Sequence, residues 1–200
     1  HLDDQYLVGD ALLVAPVLHG EGKKPEIVRN GVKHQERVVV LPPGWWFDLN
    51  RGDWVKGGQM LTYAAALDEL PLFVRDGAVL PYYAGPLRNG FVDWSAVELH
   101  LFCRERPASL DYFVDDRETR RYESGGYGVA RISAETEGEW LRVAIAESGG
   151  YPAETVTFTP VVYGRPELRE LELTVNGRVE TRPLRAGQRE WLCRMLPVLA

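Results

Sequence analysis

A chain of 200 residues, 45% hydrophobic and 26% charged, has the composition of a globular protein with room for one large domain or two small ones. Its formal net charge of −6, with acids and bases interspersed, offers no basic stripe to neutralise phosphates, so no nucleic-acid partner is expected. No apolar run reaches the roughly eighteen residues that a membrane-spanning helix needs, and the opening His1-Leu2-Asp3-Asp4 is not a signal peptide, so no membrane partner is expected either.

In chain order, Leu12 to Val14 and Val17-Leu18 are almost continuously apolar, the pattern of a strand buried on both faces. From His19 to Gln35 the chain turns polar, and Asn30-Gly31 predicts a surface loop or a small hairpin. Glu36 to Gly52 gives a β-branched run, a Pro42-Pro43-Gly44 turn and an aromatic strand at Trp45 to Phe47. The glycine pair Gly57-Gly58 precedes a further strand, Gln59 to Tyr63. In the run Leu67 to Pro81, Leu70, Leu72, Phe73 and Val74 form one apolar burst and Ala78-Val79-Leu80 a second, stopped by Pro81. The Asp76-Gly77 turn between them suits a glycine, which reaches positive φ without strain, and predicts a pair of short buried strands. Tyr83 to Gly90 is a cluster of turn formers with little to bury, the expected domain boundary.

The second half alternates throughout, with strands expected at Ala96 to Cys103, Ser109 to Val114, Ala130 to Glu135, Trp140 to Ala146 and Thr155 to Thr159. Leu171 to Thr181 predicts a hairpin closed by a type I′ turn at Asn176-Gly177. No long helix is expected; Pro166 to Leu171 allows one helical turn.

Four stretches carry a resemblance. Asp3-Asp4-Gln5-Tyr6-Leu7-Val8-Gly9-Asp10-Ala11-Leu12-Leu13-Val14-Ala15-Pro16-Val17 resembles the DDQ(F/Y)LLGxxLLVAPV seam of glycoside hydrolase family 31, the retaining α-glucosidases, where the catalytic barrel hands over to the C-terminal sandwiches. Glu36 to Gly52 is similar to the family's VYLPxGxWYDFWTGE hairpin, and Leu67 to Pro81 to the segment that follows the barrel. Tyr112 to Tyr127 resembles the LYEDDGxTxxYxxGxY signature, except that Arg117 stands where the family has glycine, which puts the turn geometry there in question because arginine tolerates positive φ poorly.

The resemblance implies an all-β fold of two consecutive antiparallel β-sandwiches: residues 1–18 as the end of the catalytic barrel or a linking strand, 19–88 as the proximal sandwich and 89–200 as the distal one. It implies a parent enzyme that cleaves α-glucosides or related α-glycosides with retention, and a chain that braces the barrel of the same polypeptide without acting on substrate itself. Retaining hydrolysis needs two carboxylates about 5 to 5.5 Å apart. The family's WxDMNE and GDN-type motifs, which supply them, do not occur here, so no residue of this chain is expected to be catalytic.

Candidate chemistry elsewhere reads as structure. Asp115-Asp116 could hold a cation, but adjacent aspartates before a turn more often accept its N–H groups. Asp68, Glu69 and Asp76 are the remaining acids of the central run. Trp45, Trp46, Phe47 and Trp54, with Tyr63, Tyr82 and Tyr83, could stack on sugars, although strand alternation sends part of this set into the core. The histidines at 1, 19, 34 and 100 lack metal-binding spacing, so no metal and no cofactor is expected. Cys103 and Cys193 form no disulfide framework; two unpaired thiols, which favour a cytoplasmic location, and a single bridge between them are the two readings, and no Asn begins a glycosylation sequon. The missing initiator Met suggests a fragment or a tag remnant. A stand-alone carbohydrate-binding module and an oligomerisation module are the alternative readings.

Overall fold

The computed structural model describes residues 4–18, 26–29, 31–66, 69–83, 96–150, 156–186 and 191–192. The chain divides into two compact units, His1–Asp76 and Gly77–Ala200. Both are built from strands; among the described residues the one helical element is a 3-10 turn at Arg121–Ser124, and at the Pro166 to Leu171 segment the chain makes one turn at Pro166-Glu167, with the Leu168 N–H donating to the Arg165 carbonyl at 3.3 Å, before the strand that starts at Glu170.

The first unit contains β1 (Tyr6–Val8), β2 (Leu12–Val14), β3 (Glu26–Arg29), β4 (Val32–Leu41), β5 (Trp45–Asp48), β6 (Asp53–Lys56), β7 (Gln59–Ala66) and β8 (Leu72–Arg75). They form a five-stranded sheet of order β1-β2-β8-β5-β6 and a three-stranded sheet β3-β4-β7, with every pairing antiparallel. Leu13, Trp46 and Phe73 from the first sheet share one core cluster with Val39, Leu41, Tyr63 and Ala65 from the second, the interdigitation of a β-sandwich. The opening segment is part of this sandwich, since β2 pairs with β8. The hairpin expected about Asn30-Gly31 forms, with Arg29 opposite Val32; Asn30 itself lies outside the described residues.

The second unit contains β9 (Ala78–Tyr83), β10 (Ala96–Phe102), β11 (Ala108–Val114), β12 (Gly128–Glu137), β13 (Trp140–Gly149), β14 (Thr157–Val162), β15 (Glu170–Val175), β16 (Arg178–Pro183), β17 (Arg185–Ala186) and β18 (Trp191–Leu192). One sheet has the order β17-β18-β14-β10-β9 and the other β11-β12-β13-β15-β16. Leu99, Leu101 and Phe158 of the first meet Ile132, Leu141, Ile145 and Leu171 of the second in one cluster, and Tyr112 packs edge-on against Phe158 at 5.6 Å. Each such buried side chain contributes about 1.5–3 kcal/mol relative to exposure.

The fold is all-β and doubly sandwiched, as expected, with three differences in detail. The bursts on either side of Asp76-Gly77 do not pair with each other: β8 joins the first unit, and β9 pairs with β10. Gly77, at φ 94, supplies the turn between two sheets rather than a hairpin. Pro81 does not stop β9, because β9 is an edge strand where a missing N–H costs no ladder bond. Finally, β10 with β14 and β13 with β15 are parallel. After β13 the chain crosses to the facing sheet as β14 and returns as β15, so it re-enters beside β13 in the same direction.

Candidate functional site

The acids of the first unit are arranged for structure. Asp48, at the end of β5, is 1% exposed. Its Oδ1 accepts the N–H groups of Asn50 (3.0 Å) and Arg51 (3.1 Å) and the hydroxyl of Tyr63 (3.3 Å), which folds the Asn50–Gly52 turn back on the strand. The same Tyr63 hydroxyl lies 3.0 Å from Oε1 of Glu69, so its one proton is shared between the two carboxylates, and the Arg51 guanidinium lies over its ring at 3.9 Å. Burial pushes the Asp48 carboxyl above the ordinary 3.8, against the opposing pull of the Arg51 N–H and charge. Burial likewise pushes the Tyr63 phenol well up. A carboxyl so enclosed offers no approach to a glycosidic oxygen. Asp76 is buried too, and its N–H donates to the Trp45 carbonyl at 2.9 Å; Asp68 lies outside the described residues.

Asp115-Asp116 folds as a turn. Asp115 Oδ1 accepts the Arg117 N–H at 3.0 Å, and Asp116 accepts the N–H groups of Glu118 and Thr119 and the Thr119 hydroxyl at 2.6 Å. These bonds hold the Asp116 carboxyl below its ordinary value. Arg117 keeps the left-handed geometry that glycine would take, at φ 53, and its guanidinium reaches the Tyr112 hydroxyl at 3.5 Å and lies over the Tyr83 ring at 5.9 Å.

The aromatic residues divide as alternation requires, but more deeply. Trp46, Phe47 and Tyr63 are buried and Trp45 and Trp54 are half-buried. Trp46 donates its indole N–H to the Pro42 carbonyl at 2.8 Å and lies under Arg75 at 4.8 Å. Trp46 and Phe47, on opposite faces of β5, are both in the interior, which leaves Trp45 as the partly exposed ring of this strand. Tyr82 and Tyr83 are exposed. Tyr82 leans on His100 at 4.2 Å, and His100 meets the Tyr163 hydroxyl at 2.8 Å and Glu98 at 3.1 Å. Among the described residues no group of three His, Cys, Asp or Glu is placed to hold a metal; His1 and His19 lie outside them. Cys103 is buried, and Cys193 lies outside the described residues.

Two features were not foreseen in the sequence. The first anchors the opening segment. The Arg37 guanidinium, on β4 and 3% exposed, pairs with the Asp4 carboxylate at 3.1 Å and donates to the carbonyls of Asp4 (2.8 Å) and Pro16. Beside it, the Gln5 amide both donates to the Val40 carbonyl (2.8 Å) and accepts the Val40 N–H (3.0 Å). The anchored strand, β1, is apolar yet uncovered: Tyr6, Leu7 and Val8 are 56, 43 and 53% exposed. A lone Arg in a run of valines is the only sequence signal of the anchor.

The second is a groove of about 320 Å³ in the second unit, lined by Val114, Gly128, Ala130, Glu147, Gly149 and Asn176 among others. Leu141, Val143 and Ile145 alternate into the core along β13, and Glu147 has the same parity. Its N–H donates to the Asn176 side-chain oxygen at 2.9 Å, and Asn176 Nδ2 donates to its carboxylate at 3.1 Å. An acid on the core-facing parity was a legible signal.

Residues 1–80 match the glycosyl hydrolase family 31 C-terminal domain. An α-xylosidase of Saccharolobus solfataricus is 32% identical over 70% of this chain. Among solved structures, a Flavobacterium johnsoniae family 31 dextranase in complex with glucose has a TM-score of 0.68 at 24% identity, covering 88% of this chain and 21% of that one. A Xanthomonas citri family 31 α-xylosidase has a TM-score of 0.62 at 25% identity, covering 80% and 16%. The chain spans 18% of the length of the Saccharolobus enzyme and 12% of a Sporosarcina globispora 1,6-α-glucosyltransferase that it also matches. The motif matches, the all-β sandwiches and these likenesses place the chain in the C-terminal region of glycoside hydrolase family 31.

Proposed function

We propose that this chain is the C-terminal β region of an α-glycosidase, bracing a catalytic barrel that precedes it in the same polypeptide and leaving bond cleavage to that barrel. The observation that carries the reading is the combination at β1. An edge strand with three consecutive exposed apolar side chains is a liability in isolation, yet its approach is fixed by the Asp4–Arg37 and Gln5–Val40 contacts. A barrel covering Tyr6, Leu7 and Val8 would remove that liability, and the rigid anchor would fix the position of its last segment, so that the barrel's active-site loops stay in place. The substrate of the whole protein is then an α-glucoside or a related α-glycoside such as an α-xyloside.

The test is immunoprecipitation from the source cells with an antibody against this chain. The precipitate is expected to hydrolyse 4-nitrophenyl α-D-glucoside or α-D-xyloside, while the 200-residue chain alone leaves both intact. Hydrolysis by the chain alone, or an inactive precipitate, would overturn the reading.

A further inference from the structure

We propose that the groove at the end of the second sandwich, between β12, β13 and the turn joining β15 to β16, binds a neutral sugar through a vicinal diol. The groove exists because the core-facing positions there carry no bulky apolar side chain. Gly128 stands opposite Gly149, and Ala130 opposite Glu147, whereas one step further along Ile132 stands opposite Ile145 and closes the core. A side chain at Gly149 would meet the Tyr127 carbonyl at 2.4 Å, so β12 and β13 approach too closely at this point for the gap to be filled from that position. The resulting space of about 320 Å³ is at the small end of ligand pockets and suits one or two sugar rings.

The lining selects the ligand class. Val114 and Ala130, on the same sheet face as Glu147, offer an apolar wall for C–H groups, while Glu147 and Asn176 offer a carboxylate and an amide. The described lining holds no basic side chain, which disfavours phosphate and carboxylate ligands. It holds one carboxylate, too few to cage a hard cation. Glu147 and Asn176 are locked to each other by two hydrogen bonds, so an acceptor and a donor stand side by side at fixed spacing, as a vicinal diol requires. Asn176 is itself held at φ 46 by the type I′ turn, which limits the entropy lost on binding. This inference does not rest on the bracing role, because it concerns the second unit alone and involves no bond cleavage.

The experiment is a titration of the isotope-labelled 200-residue chain with isomaltotriose and maltotriose, followed by amide NMR shifts, with inorganic phosphate as a control. Saturable shifts centred on Gly128, Ala130, Glu147, Ser148, Gly149 and Asn176 are expected with at least one sugar and absent with phosphate. Asn176→Gly keeps the turn while removing the amide, and Glu147→Ala removes the carboxylate; each is expected to weaken binding about tenfold or more. Should Glu147→Ala fail to fold, Asn176→Gly alone decides. No sugar-dependent shifts, shifts centred elsewhere, or binding unchanged in Asn176→Gly would overturn the proposal.

Discussion

The buried guanidinium of Arg37 lies 3.1 Å from the carboxylate of Asp4, which is itself 44% exposed. The pair is asymmetric: Arg37 also supports the carbonyls of Asp4 and Pro16, so removing it leaves two part-buried acceptors without this donor, whereas Asp4→Asn leaves an oxygen that still accepts. Arg37→Met is expected to cost about 2–3 kcal/mol and Asp4→Asn about 1 kcal/mol or less in urea denaturation. The reverse order would contradict the anchoring role.

Trp46 separates the core reading of the aromatic strand from a surface one. Trp46→Ala is expected to lower stability by about 3–5 kcal/mol, read from the urea midpoint at constant slope. Gly57→Ala acts on the same contact, because its methyl group would fall 1.9 Å from the Pro42 carbonyl that the Trp46 indole uses. A loss below about 1 kcal/mol in Trp46→Ala would show that the ring is not packed as described.

Arg117 holds a left-handed backbone at φ 53, a conformation that costs a non-glycine residue about 1–2 kcal/mol. Arg117→Gly relieves this at the loss of the long hydrogen bond to Tyr112 and the distant contact with the Tyr83 ring, and a gain of about 0.5–1 kcal/mol is expected. Arg117→Val, with a β-branched side chain in the same conformation, is expected to destabilise. Thermal unfolding of the two variants checks the sign of each.

Asp48 and Asp116 are expected to respond to pH in opposite directions. Burial raises the Asp48 pKa above 3.8, so the folded chain holds this proton more tightly than the unfolded one. Its contribution to stability therefore declines as pH rises from 3.8 through the folded value, and is flat above it. Asp48→Asn keeps the Oδ1 acceptor for Asn50 and Arg51 and removes the charge, so relative to the parent it should fare better near pH 7 than near about pH 4. The Thr119 hydroxyl and N–H lower the Asp116 pKa, so its contribution is present above 3.8 and lost as pH falls through the folded value. Asp116→Asn should accordingly cost most at neutral pH. Melting temperatures across this range decide both signs.

Where a side chain's parity or a turn's chemistry sufficed, the sequence was legible. Alternation located the strands of the second half to within a few residues, Asn176-Gly177 specified its hairpin, and Asp115-Asp116 its turn. Partner choice was less legible. Nothing local distinguishes a β8–β9 hairpin from strands that enter different sheets, since Leu72 to Val74 and Ala78 to Leu80 are equally apolar, and a parallel neighbour is fixed by a crossover many residues away. The groove was half legible: Glu147 breaks the apolar parity of β13, but its pairing with Asn176 joins positions 29 residues apart.

The measurement that bears most directly on the proposed bracing role is a denaturing immunoblot of the source cells with an antibody against this chain. The account predicts a species several times heavier than 22.6 kDa, with the barrel attached through the Asp4-Gln5 segment. A single species at 22.6 kDa would contradict it.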